Sequence, residues 1–168
     1  MKKIMLVLAV ILGFAAGANA QTDSKMAAGI NLNLGLGDSY TNFGVGAKYQ
    51  YAFTDHWRGE ADFNYFFKKD ITSFWDIDLN AQYLFHLGNG GVNLYPLAGL
   101  GYYNRHVDMS ILGSSKTNDN TLGVNYGVGV EFPLCDSFKL NAEFKGQSGF
   151  SSGWGTRWIL SVGAAYCF

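Results

Sequence analysis

Two pairs of acidic residues have a spacing of two, which would let the two carboxylates of each pair act together in one site. Glu60 and Asp62 form one pair, and Asp76 and Asp78 form the other. Side chains two residues apart on a β-strand lie on the same face, so each pair could serve in acid–base catalysis or bind a metal ion. Basic residues in nearby segments offer a simpler interpretation, in which they neutralise these carboxylates. Those basic residues are Lys48, Arg58 and Arg157.

The three histidines are scattered along the chain. His56 and His86 fall in short connections, whereas His106 opens the longest irregular stretch, residues 104–120. The sequence has no zinc-ligand spacing, phosphate-binding loop or nucleotide-binding fingerprint. We therefore expect no catalytic residue, no metal ion and no cofactor.

Alternation of apolar and polar residues defines the elements that would position these side chains. Eight segments between Lys25 and Phe168 show the period of two that is typical of β-strands. They cover residues 26–36, 43–53, 57–67, 75–85, 94–103, 122–132, 138–147 and 156–168. In each segment the charges lie opposite the apolar face. The set comprises Lys48, Arg58, Glu60, Asp62, Asp76, Asp78, Glu131, Lys139, Glu143, Lys145 and Arg157.

The faces and the connections together predict an all-β fold, an eight-stranded antiparallel up-and-down transmembrane β-barrel. An eight-stranded barrel has little interior space, so the large apolar face must point outward and the charged, glycine-rich face inward. A soluble barrel would need the opposite arrangement. Short connections at 54–56, 86–91 and 133–137 alternate with longer ones at 37–42, 68–73, 104–120 and 148–155. This alternation is typical of barrels in the bacterial outer membrane, with both chain ends in the periplasm.

The N-terminus has the features of a cleaved secretory signal peptide. Two lysines precede an apolar run, and Ala18-Asn19-Ala20 matches a small-residue cleavage site. We expect residues 1–20 to be removed and residues 21–168 to form one barrel domain. The net charge of −1 gives no electrostatic reason to expect a nucleic-acid partner.

The last eight residues, SVGAAYCF, carry a resemblance to a known family. The chain resembles the small eight-stranded outer-membrane barrels of the OmpA transmembrane-domain and OmpX type. The resemblance implies that Gly163, Tyr166 and Phe168 form a signal that the barrel-assembly machinery reads during insertion. It also implies a monomer surrounded by outer-membrane lipid and lipopolysaccharide. Some eight-stranded barrels modify lipid A, but Asp108 stands where the His-x-Ser pattern of the deacylase would place a serine after His106.

The two cysteines, Cys135 and Cys167, both fall near the predicted periplasmic end of the barrel. An oxidising periplasm would allow a disulfide between them. Two free thiols are the alternative, and Cα atoms more than about 7 Å apart would exclude the bond.

The inward charges leave three hypotheses for function. Paired charges that plug the lumen favour a structural or surface-interaction protein, which contacts the outside through its loops. A water-filled ion path would instead make the barrel a narrow channel for small or apolar solutes. A lipid A-modifying enzyme is the least favoured hypothesis.

Overall fold

A computed structural model describes residues 25–36, 41–69, 72–87, 91–107 and 117–168. The strands are β1 (Met26–Leu36), β2 (Thr41–Ala52), β3 (Trp57–Lys69), β4 (Thr72–Tyr83), β5 (Phe85–Leu87), β6 (Val92–Val107), β7 (Thr117–Cys135), β8 (Phe138–Gly149) and β9 (Thr156–Cys167). The predicted signal peptide, residues 1–20, lies outside the described residues. Within those residues no helix is long and apolar enough to cross a membrane.

The strands form one closed antiparallel sheet. Consecutive strands pair with each other except β4 and β5, β1 also pairs with β9, and β4 also pairs with β6. Strands β4 and β5 lie end to end along the same edge of β6, so together they make one of eight barrel strands. The prediction of an eight-stranded antiparallel barrel is confirmed.

The break between β4 and β5 lies opposite a proline. Gln82 pairs with Leu97 and Phe85 pairs with Leu94, so the β4–β6 ladder skips the position of Pro96. On the other side of β6, Pro96 stays in register with Val128. A proline has no amide hydrogen to donate, which explains the unpaired position that the sequence predicts here.

The barrel has two different ends. The terminal rim contains both ends of the barrel chain, the turn at 53–56 and the tight turn at Asp136 and Ser137. The loop rim contains the connection 150–155 and the strand ends at residues 36, 41, 69, 72, 107 and 117.

The loop rim is uneven because the β6–β7 hairpin extends beyond the end of β8, whereas on its other side β6 pairs with β4 as far as Val107. The predicted irregular stretch 104–120 is wrong at both ends, since Asn104–Val107 pairs with residues 117–120 as regular strand. We call the paired segments 102–107 and 117–122 the β6–β7 projection. The last β7 residue that pairs with β8 is Gly123. The projection therefore extends six residues farther, about 20 Å at roughly 3.4 Å per residue.

The outer surface is apolar and the lumen is mainly polar. Leu32, Leu79 and Leu122 point outward and are 62–63% exposed. All eleven charged residues that the sequence places on the inner face lie there, and those on β2, β3 and β4 are at most 4% exposed. The lumen also holds two small apolar clusters, Phe66 with Phe74 and Ile159, and Leu84 with Tyr95 and Leu97.

Candidate functional site: the charged lumen

The charged side chains meet in four layers across the lumen. The layer nearest the terminal rim is centred on Glu131. Its carboxylate accepts from Arg58 Nη1 at 2.7 Å, from Asn93 at 2.8 Å and lies 3.3 Å from Lys139 Nζ. The Arg58 guanidinium also donates to Gln82 at 2.6 Å and lies 5.1 Å from the centre of the Tyr95 ring. One carboxylate therefore joins two cations that come from different strands.

The second layer is centred on Lys48. Its ammonium lies 2.7 Å from Glu143 and 3.3 Å from Glu60. The Tyr95 hydroxyl donates to the same Glu143 oxygen at 2.9 Å. Gln50 and Gln82 donate to the two oxygens of Glu60 at 2.6 and 2.8 Å. The side chains of Lys48 and Glu60 are fully buried, so these contacts replace water as their solvation.

The third layer is centred on Lys145. Its ammonium lies 2.7 Å from Asp78 and 3.5 Å from Asp62. Gln147 donates to Asp78 at 3.0 Å, and Asn80 donates to Asp62 at 3.1 Å. The ion pair between β8 and β4 joins strands that are not neighbours, so it crosses the interior of the barrel.

The fourth layer lies toward the loop rim. Arg157 donates to Asp76 at 2.9 Å, and Asn64 donates to the other Asp76 oxygen at 2.7 Å. The guanidinium of Arg157 lies 4.0 Å from the centre of the Phe66 ring and 5.0 Å from that of Phe74. A planar cation is held here between a carboxylate and two aromatic rings, an arrangement that suits arginine better than lysine.

All eleven charged residues singled out in the sequence take part in these ion pairs. Asp76 and Asp78 have separate cationic partners, Arg157 and Lys145. The spacing of two thus reflects two stacked ion pairs and not a shared carboxylate site. Within the described residues, no group of three or more His, Cys, Asp or Glu side chains could hold a metal ion.

Three atoms of charged groups in the network have no hydrogen-bond partner among the described residues. They are Arg58 Nη2, Arg157 Nε and Asp62 Oδ1. The network is therefore well paired by charge but is not saturated by hydrogen bonds.

Phe66 and Phe74 are lumen residues that the sequence reasoning did not assign. Phe66 follows Asn64 by two residues and Phe74 precedes Asp76 by two, so each continues the inward face of its strand. Extending the alternation one step past the last polar residue would have identified both.

The histidines lie at the two rims, away from the charged layers. The rings of His56 and His86 are 5.3 Å apart at the terminal rim, where His86 also contacts Asn93 and the backbone carbonyl of Asp55. His106 is on the β6–β7 projection and contacts Asn118. Asp108 and Ser110, its neighbours in the sequence, lie outside the described residues.

The two cysteines are free thiols in the structure. Cys135 ends β7 and Cys167 ends β9, and β8 lies between these two strands. Two strand spacings amount to roughly 10 Å, which is more than the Cα separation that a disulfide spans. The structure contains no bond between the two cysteines, and the disulfide considered from the sequence stays a prediction.

The three residues of the expected assembly signal all lie on the closing strand β9 or just after it. Gly163 lies between Asn31 and Asn141, and a Cβ atom there would be 2.2 Å from Asn31 Oδ1. The Tyr166 ring packs edge-on against Phe138, with centroids 5.0 Å apart. The backbone amide of Phe168 donates to the Met26 carbonyl at 2.9 Å, which ties the two ends of the barrel together.

Several solved structures are similar to this barrel. The N-terminal β-barrel domain of OprF from Pseudomonas aeruginosa aligns with a TM-score of 0.67 at 19% identity, covering 84% of this chain and 97% of that one. Neisserial surface protein A aligns with a TM-score of 0.68 at 17% identity, covering 85% and 96%. The outer membrane enzyme PagL aligns with a TM-score of 0.56 at 12% identity, covering 83% and 97%. These identities show a shared fold, and one fold can host different functions.

No curated protein matches the chain in sequence. The model of one family, the outer membrane protein beta-barrel domain, matches residues 6–168, which is almost the whole chain. This match agrees with the closed eight-stranded barrel and its apolar outer surface. The chain belongs to the outer membrane protein beta-barrel domain family.

Proposed function

We propose that this protein is an outer-membrane anchor whose lumen is closed to solutes and whose loop rim contacts the outside of the cell. The observation that carries the proposal is the series of four ion-paired layers across the lumen. Lys48–Glu143, Lys145–Asp78, Arg58–Glu131 and Arg157–Asp76 each join strands that are not neighbours in the sheet. Side chains that cross the interior in successive layers leave no continuous path for a solute.

The energetics of buried ion pairs support a closed lumen. Separating such a pair leaves charges buried without a partner, which costs about 3–5 kcal/mol. A conducting path would require a buried ion pair to be separated in each of several layers, because every layer crosses the interior of the barrel. Eight-stranded barrels also have interiors just wide enough for their own side chains.

The proposal includes the placement of the protein in the membrane. Residues 1–20 serve as a cleaved signal peptide, and the terminal rim faces the periplasm. The exposed apolar side chains contact outer-membrane lipid and the acyl chains of lipopolysaccharide. Gly163, Tyr166 and Phe168 on and after β9 are recognised by the barrel-assembly machinery. The loop rim, including the β6–β7 projection, then faces outward, where it is available for surface interactions.

Single-channel recording in planar bilayers tests the closed lumen. We expect no stable open steps from the wild-type barrel, with a wide porin in the same membranes as the positive control. Stable steps that Asp76→Asn or Arg58→Gln abolishes would show that ions pass through the charged layers, and would replace the anchor with a channel.

Mass spectrometry of lipid A tests the absence of enzymatic activity. We expect the same lipid A masses from cells with and without the protein, because His106 pairs with Asn118 on the projection. A lost or added acyl chain that depends on His106 would make the protein a lipid A-modifying enzyme.

A further inference from the structure

The β6–β7 projection has a free side where β8 ends. Between Gly123 and the loop rim, residues 117–122 of β7 pair with β6 on one side and with no β8 residue on the other. The connection 150–155, which follows β8, turns toward this free side. The Phe150 amide donates to the Leu122 carbonyl at 2.8 Å, in the place where the next β8 residue would have bonded.

Farther up the projection, side chains replace the missing backbone partners. The Ser151 amide donates to Thr121 Oγ1 at 3.1 Å, and the hydroxyls of these two residues are 2.9 Å apart. Trp154 Nε1 donates to Asp119 Oδ2 at 2.9 Å. The connection therefore bonds to Leu122, Thr121 and Asp119 in succession along β7.

The ring of Trp154 lies at the loop end of the lumen. Its neighbours Tyr103 and Arg105 are on the inward face of β6, with the Tyr103 ring centroid 6.2 Å away and the Arg105 guanidinium 4.9 Å from the ring centre. Arg105 also donates to Asp119 at 2.6 Å, so Asp119 binds both the cation and the indole. Below the ring, the Tyr103 hydroxyl donates to Asn125 at 2.6 Å.

We propose that residues 150–155 form a strap that closes the loop end of the lumen and holds the β6–β7 projection in place, with Trp154 as the latch. The strap is built for this position. A Cβ atom on Gly149 would lie 2.7 Å from both Thr121 Cγ2 and Trp154 Cβ, so the chain passes too close to β7 for a side chain at its start. The strap is separate from the four charged layers, and its hold on the projection does not depend on whether the lumen conducts ions.

Hydrogen exchange measured by mass spectrometry on the whole barrel tests the hold on the projection. Trp154→Ala removes both the ring that contacts Tyr103 and Arg105 and the donor to Asp119, so it should speed exchange at residues 117–122 about tenfold or more. Exchange at 124–132, where β7 pairs with β8, should not change. Trp158→Ala is the matched control, because this tryptophan stacks on Phe144 on the outer face.

Thiol labelling tests closure of the lumen end. Thr121 is 5% exposed beneath the strap. In a Cys135→Ser, Cys167→Ser background, Thr121→Cys should react slowly with a charged thiol reagent and about tenfold faster when Trp154→Ala is added. Trp158→Ala should leave the rate unchanged.

Trp154→Phe provides a second variant if Trp154→Ala does not fold, since it keeps a ring but removes the donor to Asp119. It should give intermediate exchange and labelling rates. If the folded Trp154 variants show the same hydrogen-exchange rates at residues 117–122 and the same labelling rates at position 121 as proteins with Trp154, the proposed strap is wrong. Conductance by the wild-type barrel would overturn closure of the lumen, both by the charged layers and by the strap. Wild-type exchange rates at residues 117–122 in the Trp154 variants would overturn the hold on the projection, so the two failures are distinguishable.

Discussion

Replacing Lys145 by methionine removes the only cation that the described structure places against both Asp78 and Asp62. Methionine keeps much of the length of the side chain, so the change is mainly the loss of charge. The ammonium lies 2.7 Å from Asp78 and 3.5 Å from Asp62, and all three side chains are at most 3% exposed. Removing one partner of a buried ion pair costs about 3–5 kcal/mol, because the other charge stays buried. Lys145→Met should therefore raise the equilibrium constant for unfolding by roughly two to four powers of ten.

Arg105→Met is the matched control for this loss of charge. It breaks the ion pair between Arg105 and Asp119, whose side chains are 30% and 39% exposed, respectively. Exposed pairs contribute about 0.2–1 kcal/mol, so this variant should be only slightly less stable than the wild type. The difference between the variants measures how well the lumen excludes water.

Denaturant unfolding of the refolded barrel in lipid vesicles, followed by tryptophan fluorescence, measures both variants. Adding Asp78→Asn to Lys145→Met should recover part of the lost stability, because one unpaired charge is then removed. A cost below about 1 kcal/mol for Lys145→Met, equal to that of Arg105→Met, would refute the reasoning. It would mean that water solvates the charged layers and that the lumen is open.

Two further predictions concern a close contact in the lumen and the end of the chain. A Cβ atom on Gly129 would lie 2.4 Å from Cζ of the Tyr95 ring, which Glu143 holds through its hydroxyl, so Gly129→Ala should cost about 1–3 kcal/mol in the same unfolding assay. Gly155→Ala, with no atom within 4 Å, is its control, and equal stabilities would contradict the tight packing. Deleting Phe168 should reduce the fraction of protein that forms a heat-modifiable barrel in the outer membrane, whereas Phe168→Tyr should not. Normal barrel formation by the deletion variant would argue against an assembly signal there.

Local features of the barrel could be predicted because strand periodicity is a local property. The alternation assigned the inward face correctly at Lys48 and Asp78, and the missing amide hydrogen of Pro96 predicted the break in the ladder. The inward direction of Phe66 and Phe74 could also have been predicted, because each lies two residues from an inward-facing polar residue on its strand.

Partners across the lumen could not be predicted in the same way. Lys48 pairs with Glu143 across 95 positions of sequence, and this choice depends on the barrel's closure and on the stagger of its strands. The length of the β6–β7 projection was also missed, because residues 104–106 and the residues opposite them, 118–120, are polar on both faces and give no alternation.

The pairing between β1 and β9 has a consequence for the order in which the barrel is built. Lys48 on β2 and Glu143 on β8 lie on opposite sides of this seam, so their contact exists only after the first and last strands have met. Before that moment their charges need water or another protein as solvent, since a bilayer interior would not accept them unpaired. Ion pairs that form only across this seam thus favour closure of the barrel in a single step. A barrel with an open seam would expose their charges, and zipping of β9 onto β1 would remove them from solvent in one step.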